Sequence, residues 1–171
     1  WCREIGIVTS ASFIIGFPGQ EADELMQTVT YMRNIGADLL IPSYFGPVPK
    51  SGLCEELVAQ GKMRTPDSYK QWEKMKMMDL FGANYTKVPD RHLRVVSAHF
   101  FLSNFFWKYE DGGQSRVNAK KAFRQVFGFL ARGGLKSIGL VVLAGKEFAE
   151  VVFYAKAFPG IRKKYGLSKN M

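Results

Sequence analysis

Two glycines and a proline interrupt an apolar run in the stretch SASFIIGFPGQEADEL, which spans residues 10–25. A strand, a glycine turn and a helix in this order often hold a phosphate at the helix N-terminus. A phosphate loop needs either a dinucleotide fingerprint or a closing Gly-Lys-Ser/Thr, and neither follows Gly16. Pro18 also removes one backbone N–H that would donate to a phosphate. The local sequence therefore indicates a tight strand-to-helix turn, with glycine where positive φ is needed.

The cysteine and histidine residues do not show the spacing of a metal site. Cys2 and Cys54 lie far apart and form no C-x-x-C pair, so we interpret them as two reduced thiols. His92 and His99 fall about two turns apart on one predicted helix, which is too far for the i, i+4 pairing of a zinc helix. We interpret both histidines as packing or surface residues.

The composition favours a packed domain over a disordered or membrane-spanning chain. The 171 residues are 47% hydrophobic and 14% aromatic, which suits a core. No apolar run reaches the roughly 18 residues of a membrane helix, and the amino end shows no secretory signal. We expect a cytoplasmic location, with association to a membrane surface left open.

The net charge of +9 is concentrated in the last third of the chain. Residues 113–171 contain 12 Lys and Arg against 2 Asp and Glu, whereas residues 1–112 contain 12 against 13. A basic segment can bind an anionic membrane surface, a nucleic acid or an acidic partner, or it can be a solvated helix face. We rank nucleic acid below the membrane surface, and the solvated face remains an equal alternative.

The order of elements is one β–α–β unit followed by helices. Residues 7–15 are β-branched and aromatic, which predicts a parallel strand buried on both faces. Leu25, Val29 and Met32 mark the apolar face of the next helix, and the stretch 37–45 predicts a second strand containing Pro42. Further helices are predicted at 53–60, 67–81, 90–109, 114–131 and 134–156.

Two strands alone do not make a stable parallel sheet, because their faces and edges stay uncovered. The remaining strands must come from another chain or from a missing amino-terminal part of the same protein. The chain also begins at Trp1 without an initiating Met. We therefore expect it to be a fragment.

The stretch GIVTSASFIIGFPGQEADELMQTVTYMRNIGADLLIPSYFGPVPKSGLCEEL resembles the late barrel segment of radical S-adenosylmethionine enzymes. It is most similar to the branch with cobalamin-binding radical enzymes and anaerobic magnesium-protoporphyrin ester cyclases. Members typically read GFPGET after one strand and TPYPGTPLYEEL after the next. Here the corresponding pieces are GFPGQ at 16–20 and YFGPVPKSGL at 44–53. The resemblance covers residues 5–65 well and weakens towards residue 95.

The resemblance implies a partial TIM-like (β/α)6 barrel that binds S-adenosylmethionine and a four-iron four-sulfur cluster. In the family, three cysteines in a C-x-x-x-C-x-x-C loop ligate that cluster. This chain lacks such a triad, so we expect the cluster ligands outside it and expect the isolated chain to be inactive. Cobalamin in the full-length protein remains open.

The resemblance also implies a set of cofactor-binding residues. The family motif G-x-I-x-G-x-x-E packs an apolar side chain on adenine and offers backbone groups to its edge. Ser12, Ile14 and Gly16 match its first three positions, and Gln20 stands where Glu is usual, with Glu21 as the alternative carboxylate. Tyr44 and Phe45 would close over adenine or line the substrate cavity. The implied set is Ser12, Ile14, Gly16, Phe17, Pro18, Gln20, Tyr44 and Phe45, with catalytic residues unassigned.

The chain is accordingly divided into a carboxy-terminal barrel part at 1–65, post-barrel helices at 66–112 and a basic helical tail at 113–171. The implied function is that of a carboxy-terminal part of a radical S-adenosylmethionine enzyme, a cyclase or a methyltransferase-like protein with an apolar small-molecule substrate. Its partner would be the missing amino-terminal half. The alternative is a non-catalytic helical interaction or membrane-surface module.

Overall fold

A computed structural model describes residues 1–2, 4–74, 83–105 and 136–167. In chain order the elements are β1 (Ser10–Ile15), α1 (Ala22–Asn34), β2 (Leu39–Tyr44), α2 (Gly52–Ala59), α3 (Tyr69–Lys74), α4 (Asp90–Phe105), α5 (Lys136–Ala157) and α6 (Pro159–Lys164). The predicted helix at 114–131 lies outside the described residues, as do the last parts of those predicted at 67–81 and 90–109.

Strands β1 and β2 pair in parallel around α1, which confirms the predicted β–α–β unit. The register runs from Ser10 opposite Leu39 to Ile15 opposite Tyr44. β1 begins at Ser10 rather than at residue 7, because the N–H of the preceding residue, Thr9, donates to a side chain and not to a strand. The N–H and Oγ1 of Thr9 donate to Asp38 Oδ2 at 2.9 and 3.0 Å.

The sheet is buried on one face only, so the prediction of a strand buried on both faces is wrong. Phe13, Ile15 and Leu40 lie on the face that packs against the helices. On the other face Ile14 is 51% exposed and Ile41 is 44% exposed. The physical reason is that α1 and α4 cover one face, while no described element covers the other.

The main core lies between the covered face of the sheet, α1 and α4. Leu25, Val29 and Met32 point into it from α1, as their spacing predicts. Helix α4 contributes Val96 and Phe100, which are both fully buried. Buried apolar residues lie on more than one side of α4, as expected for a helix that packs between the sheet and another helix.

The end of the described chain completes this same core. Tyr165 and Leu167, just after α6, are 1% and 2% exposed and belong to the main cluster. The Tyr165 hydroxyl lies 3.0 Å from Nδ1 of His92, and Arg33 Nη1 donates to the carbonyl of Gly166 at 2.9 Å. The last part of the basic tail is thus packed onto α1 and α4.

The outer edge of β2 is closed by a side chain of α4. Leu39 and Phe45 donate their N–H groups to β1, so the alternate residues Leu40 and Pro42 direct their backbone groups outwards. The side-chain amide of Asn104 accepts from the Leu40 N–H at 2.9 Å and donates to its carbonyl at 2.7 Å. Pro42 has no N–H to leave unpaired, as is usual for proline in an edge strand.

No described residue covers the outer edge of β1 between Ser12 and Ile14 in this way. The described sheet contains two strands, and no described group pairs with the outward backbone of Ser12 or Ile14. Exposed apolar side chains also precede this strand, with Ile7 and Val8 about half exposed. An unpaired strand edge beside apolar surface is a template for another strand.

Candidate functional site

The turn GFPGQ connects the carboxyl end of β1 to α1. The N–H of Gln20 donates to the carbonyl of Phe17 at 2.9 Å, with Pro18 and Gly19 as the central residues. Gly19 has φ +77°, so the turn is type II, which takes proline first and glycine second. Gly16 enters the turn with φ +85°, the other position where a side chain would be strained.

The side chain of Gln20 holds this turn from the inside. Its Oε1 accepts a hydrogen bond of 2.8 Å from the N–H of Gly16, and only 8% of the residue is exposed. The N–H of Gly16 points to the same edge of the sheet as those of Ser12 and Ile14. The Gln20 side chain therefore pairs with the outward amide that directly follows β1. The oxygen of this predicted cofactor-binding residue is thus engaged by the backbone of its own turn.

A second loop, at residues 83–88, is hydrogen-bonded to the turn. Gly19 donates to the carbonyl of Tyr85 at 2.9 Å, and Lys87 donates its backbone N–H to the carbonyl of Gln20 at 3.0 Å. Lys87 Nζ also contacts Glu21 Oε1 at 2.6 Å, and this hydrogen bond lowers the pKa of the Glu21 carboxyl. Glu21 is therefore paired at the N-cap of α1, and its side chain is 59% exposed in that pair.

A shallow cleft opens where the two strands end. Its empty volume is about 340 Å3, open solvent included. The floor consists of Gly16 and the end of β2, and the wall consists of the first turns of α4 with the 83–88 loop. The lining residues are Gly16, Tyr44, Phe45, Ala83, Asn84, Asp90, Leu93 and Arg94. The carboxyl ends of parallel strands are the usual place for ligands in α/β folds.

Tyr44 and Arg94 are the central polar groups of the cleft. The Tyr44 hydroxyl is buried and makes no hydrogen bond of standard geometry to the described residues. Burial raises the pKa of this hydroxyl, and the adjoining Ser97 hydroxyl and Arg94 offset that rise only in part. Arg94 Nη1 donates to Glu150 Oε1 at 2.7 Å, and its guanidinium lies 5.2 Å from the centre of the Tyr154 ring. The cleft thus has a neutral phenol beside a cation that is already paired.

The predicted site residues divide between two surfaces. Ser12 and Ile14 lie on the open face of the sheet, whereas Tyr44 pairs with Ile15 on the helix-covered face. At the carboxyl edge, the Phe17 and Phe45 rings pack at 5.5 Å, and Pro18 forms the corner of the turn. The fold therefore brings Gly16, Phe17, Pro18, Tyr44 and Phe45 together and places Ser12 and Ile14 on the sheet face beside them.

The sequence analysis did not identify three polar residues of the cleft, namely Asn84, Asp90 and Arg94. A usable signal existed for two of them, because Asp90 and Arg94 have the i, i+4 spacing of an ion pair on a helix. Their closest atoms lie 3.9 Å apart. Asn84 gave no such signal, since it stands in the loop and bonds the carbonyl of Val88 at 2.7 Å.

The described residues do not suit an iron-sulfur cluster. Within residues 1–2, 4–74, 83–105 and 136–167, no three His, Cys, Asp or Glu side chains come together as a metal-binding group. Cys54 is buried in α2 beside Leu57 and Met63, and Cys2 stands alone near the amino end. A cubane cluster needs three or four thiolates, so any such ligands must come from elsewhere.

Comparison with known proteins gave no relative. No protein-family model matches the chain, no curated protein matches it, and no solved structure matches its fold.

Proposed function

We propose that this chain supplies the last two β/α units of a radical S-adenosylmethionine enzyme. In this proposal the open face of β1 forms part of the adenine side of the cofactor site. The four-iron four-sulfur cluster is held by residues outside the chain, and the reaction is of the cyclase or methyltransferase type on an apolar small molecule.

The unequal edges of the sheet are the observation that carries this proposal. A partial barrel ends at its last strand, which needs a closed outer edge, while the strand before it must pair on both sides. Asn104 and Pro42 close the outer edge of β2, and within the described part of the chain nothing pairs with the outer edge of β1 at Ser12 and Ile14. This is the arrangement expected of a final strand and its inner neighbour.

The open face of the sheet has the chemistry that the proposal requires. In a barrel, the face turned away from the helices lines the interior. Ile14 lies opposite Ser43, and Ser12 lies opposite Ile41, so hydroxyl and apolar side chains alternate there. Adenine is a flat ring with a polar edge, and an isoleucine flanked by hydroxyl groups suits both parts.

The residues present fit the adenine side of S-adenosylmethionine and do not fit the cluster. Ile14 would contact the ring, and the hydroxyl groups of Ser12 and Ser43 on the same face would offer hydrogen-bond donors and acceptors. When bound to a cluster, this cofactor supplies a carbon-centred radical. The part of the chain described here would orient it and exclude water from its adenine end.

The first test separates this chain from its proposed parent. The purified chain is incubated anaerobically with iron and sulfide, then with S-adenosylmethionine and a reductant, and 5′-deoxyadenosine is measured. We expect no product from the chain alone and product from a longer polypeptide encoded in the same reading frame. Product from the chain alone would contradict the assignment of the cluster to residues outside it.

The second test places the adenine contact within the longer polypeptide. Ile14→Asp should weaken the binding of S-adenosylmethionine at least tenfold, roughly the value of one buried apolar contact. The matched control is Ile35→Asp, which changes an isoleucine of similar exposure, 43%, just after α1. An equal loss in both variants, or none in Ile14→Asp, would remove Ile14 from the site.

A further inference from the structure

Both acidic side chains of α5 lie against α4. The two acidic residues of the basic tail, Glu147 and Glu150, are both half-buried and turn towards α4. Glu150 pairs with Arg94 at 2.7 Å, and Glu147 lines the same narrow space. The side of α5 that carries Ala149, Phe153 and Lys156 has no acidic residue.

Lysines and aromatic rings occupy that outer side together. Lys146 and Lys156 are exposed, and Phe153, between them, is 55% exposed. These positions recur at the spacing of one helix face. We call the surface formed by Lys146, Ala149, Phe153, Lys156 and Lys163 the outer basic face.

Ring contacts join the two helices of this face. Phe153 packs edge-on against Phe158, with ring centres 5.8 Å apart, and Phe158 is the residue that starts α6. Lys163 then follows on the exposed side of α6. In the described part of the chain, no carboxylate forms an ion pair with Lys146, Lys156 or Lys163. The outer basic face thus carries three exposed lysines and an exposed phenylalanine on two adjoining helices.

We propose that the outer basic face binds the surface of an anionic phospholipid bilayer. Lysines around a protruding phenylalanine suit this partner, because the ammonium groups meet lipid phosphates while the ring enters the headgroup boundary. A nucleic acid is less well matched. Apart from the ammonium groups, the face has no side chain that could hydrogen-bond a base edge.

Among the described helices, none has the length and apolar content of a membrane span. The binding to a bilayer surface does not depend on the proposed enzymatic function. The surface involved lies on α5 and α6, whereas the proposed cofactor contacts lie on β1 and the turn after it.

The test is sedimentation of the purified chain with vesicles at low salt. We expect it to pellet with phosphatidylcholine vesicles that contain about 30% phosphatidylglycerol and to stay in solution with phosphatidylcholine alone. The double variant Lys156→Gln/Lys163→Gln should lower the partition coefficient about 30-fold, since each lysine near an anionic surface contributes about a factor of five. The variant Phe153→Ser should also bind the vesicles less strongly, and added salt should weaken its binding further.

The matched control is Lys62→Gln/Lys70→Gln, which removes two exposed lysines away from the outer basic face. It should bind vesicles like the unaltered chain, and circular dichroism should show that every variant keeps its helices. The proposal is overturned if anionic vesicles do not pellet the chain, or if the control loses as much binding. It is equally overturned if a labelled single-stranded RNA binds through Lys156 and Lys163 while vesicles do not.

Discussion

The two strands of the sheet differ most at their outer edges. Asn104 reaches from α4 to β2 and takes both outward backbone groups of Leu40, and Pro42 has no N–H to satisfy. At β1 the outward groups of Ser12 and Ile14 have no described partner. Within the described residues, the sheet therefore has a paired outer edge at β2 and an unpaired outer edge at β1.

The difference between the two edges indicates where a further strand can pair with the sheet. A side-chain amide that pairs like a neighbouring strand stops the sheet at β2, because buried backbone groups must be paired. Beyond β1, a parallel strand would gain hydrogen bonds and would cover the exposed apolar residues Ile7 and Val8. In our proposal the other part of the barrel joins at this edge.

Breaking the closed edge should have the largest effect. Asn104→Ala leaves the buried N–H and carbonyl of Leu40 without partners, at about 2 kcal/mol for each group. We expect the free energy of unfolding in urea to fall by about 4 kcal/mol. Asn34→Ala, at the exposed end of α1, is the control and should change it by less than about 0.5 kcal/mol. Similar losses from both variants would mean that Asn104 does not close the edge.

Acid should also weaken the closed side, because α4 contains the buried His99. Burial, helped by Arg162 and Arg33, lowers the pKa of His99 from 6.5 to about 4. The unfolded chain therefore takes up this proton first, so stability is lost as the pH falls from about 6.5 towards 4. The loss attributable to this group is about 3 kcal/mol.

The measurement for His99 is urea unfolding at pH 7 and at pH 4. His99→Gln should lower stability at pH 7 through imperfect packing, yet it should remove most of the histidine's share of the acid loss. Carboxylates also titrate in this range, so the difference between the two proteins is the quantity to read. Identical pH slopes would show that His99 is not a neutral buried group.

The turn between β1 and α1 should respond more mildly. Gly19 has φ +77°, and a methyl group there would meet no atom within 4 Å. Gly19→Ala should therefore cost about 1 kcal/mol through backbone strain alone. Gly52→Ala, at the helical start of α2, has equal space without the strain and should be neutral or slightly stabilising. Thermal unfolding of both variants distinguishes strain from crowding.

The open face should give the smallest effect in this chain. Ile14 is half exposed, and no described helix packs on its side of the sheet. Ile14→Asp should therefore change the free energy of unfolding by less than about 0.5 kcal/mol. A loss above about 2 kcal/mol in urea unfolding would mean that this face is covered, and would sharpen the search for what covers it.

Local physics made the β–α–β unit and most helix bounds readable from the sequence. The helical spacing of Leu25, Val29 and Met32 predicted the buried face of α1. The glycines predicted the turn before it. The single-sided burial of the sheet was not readable, because it depends on which distant helices arrive. Ile14 and Ile15 look alike in the sequence, yet one is exposed and the other buried.

The candidate site was readable only in part, for the same reason. The cleft near Gly16 and Phe45 lay where a strand end predicts it. The contribution of Arg94 required knowing that the first turns of α4 lie beside the end of β2. Asn104, a polar residue inside the apolar run FFLSNFF, was a visible anomaly, because a buried amide needs partners. Its partner, the edge of a strand 64 positions away, could not be inferred from spacing.

Amide hydrogen exchange, read residue by residue by NMR, tests the unequal edges most directly. Leu40 should be among the slowly exchanging amides, since its N–H is held by Asn104. Ser12 and Ile14 should exchange close to the rate of an unprotected chain, although they lie in the same sheet. Slow exchange at Ser12 and Ile14 to the level of Leu40, or fast exchange at Leu40, would contradict the account.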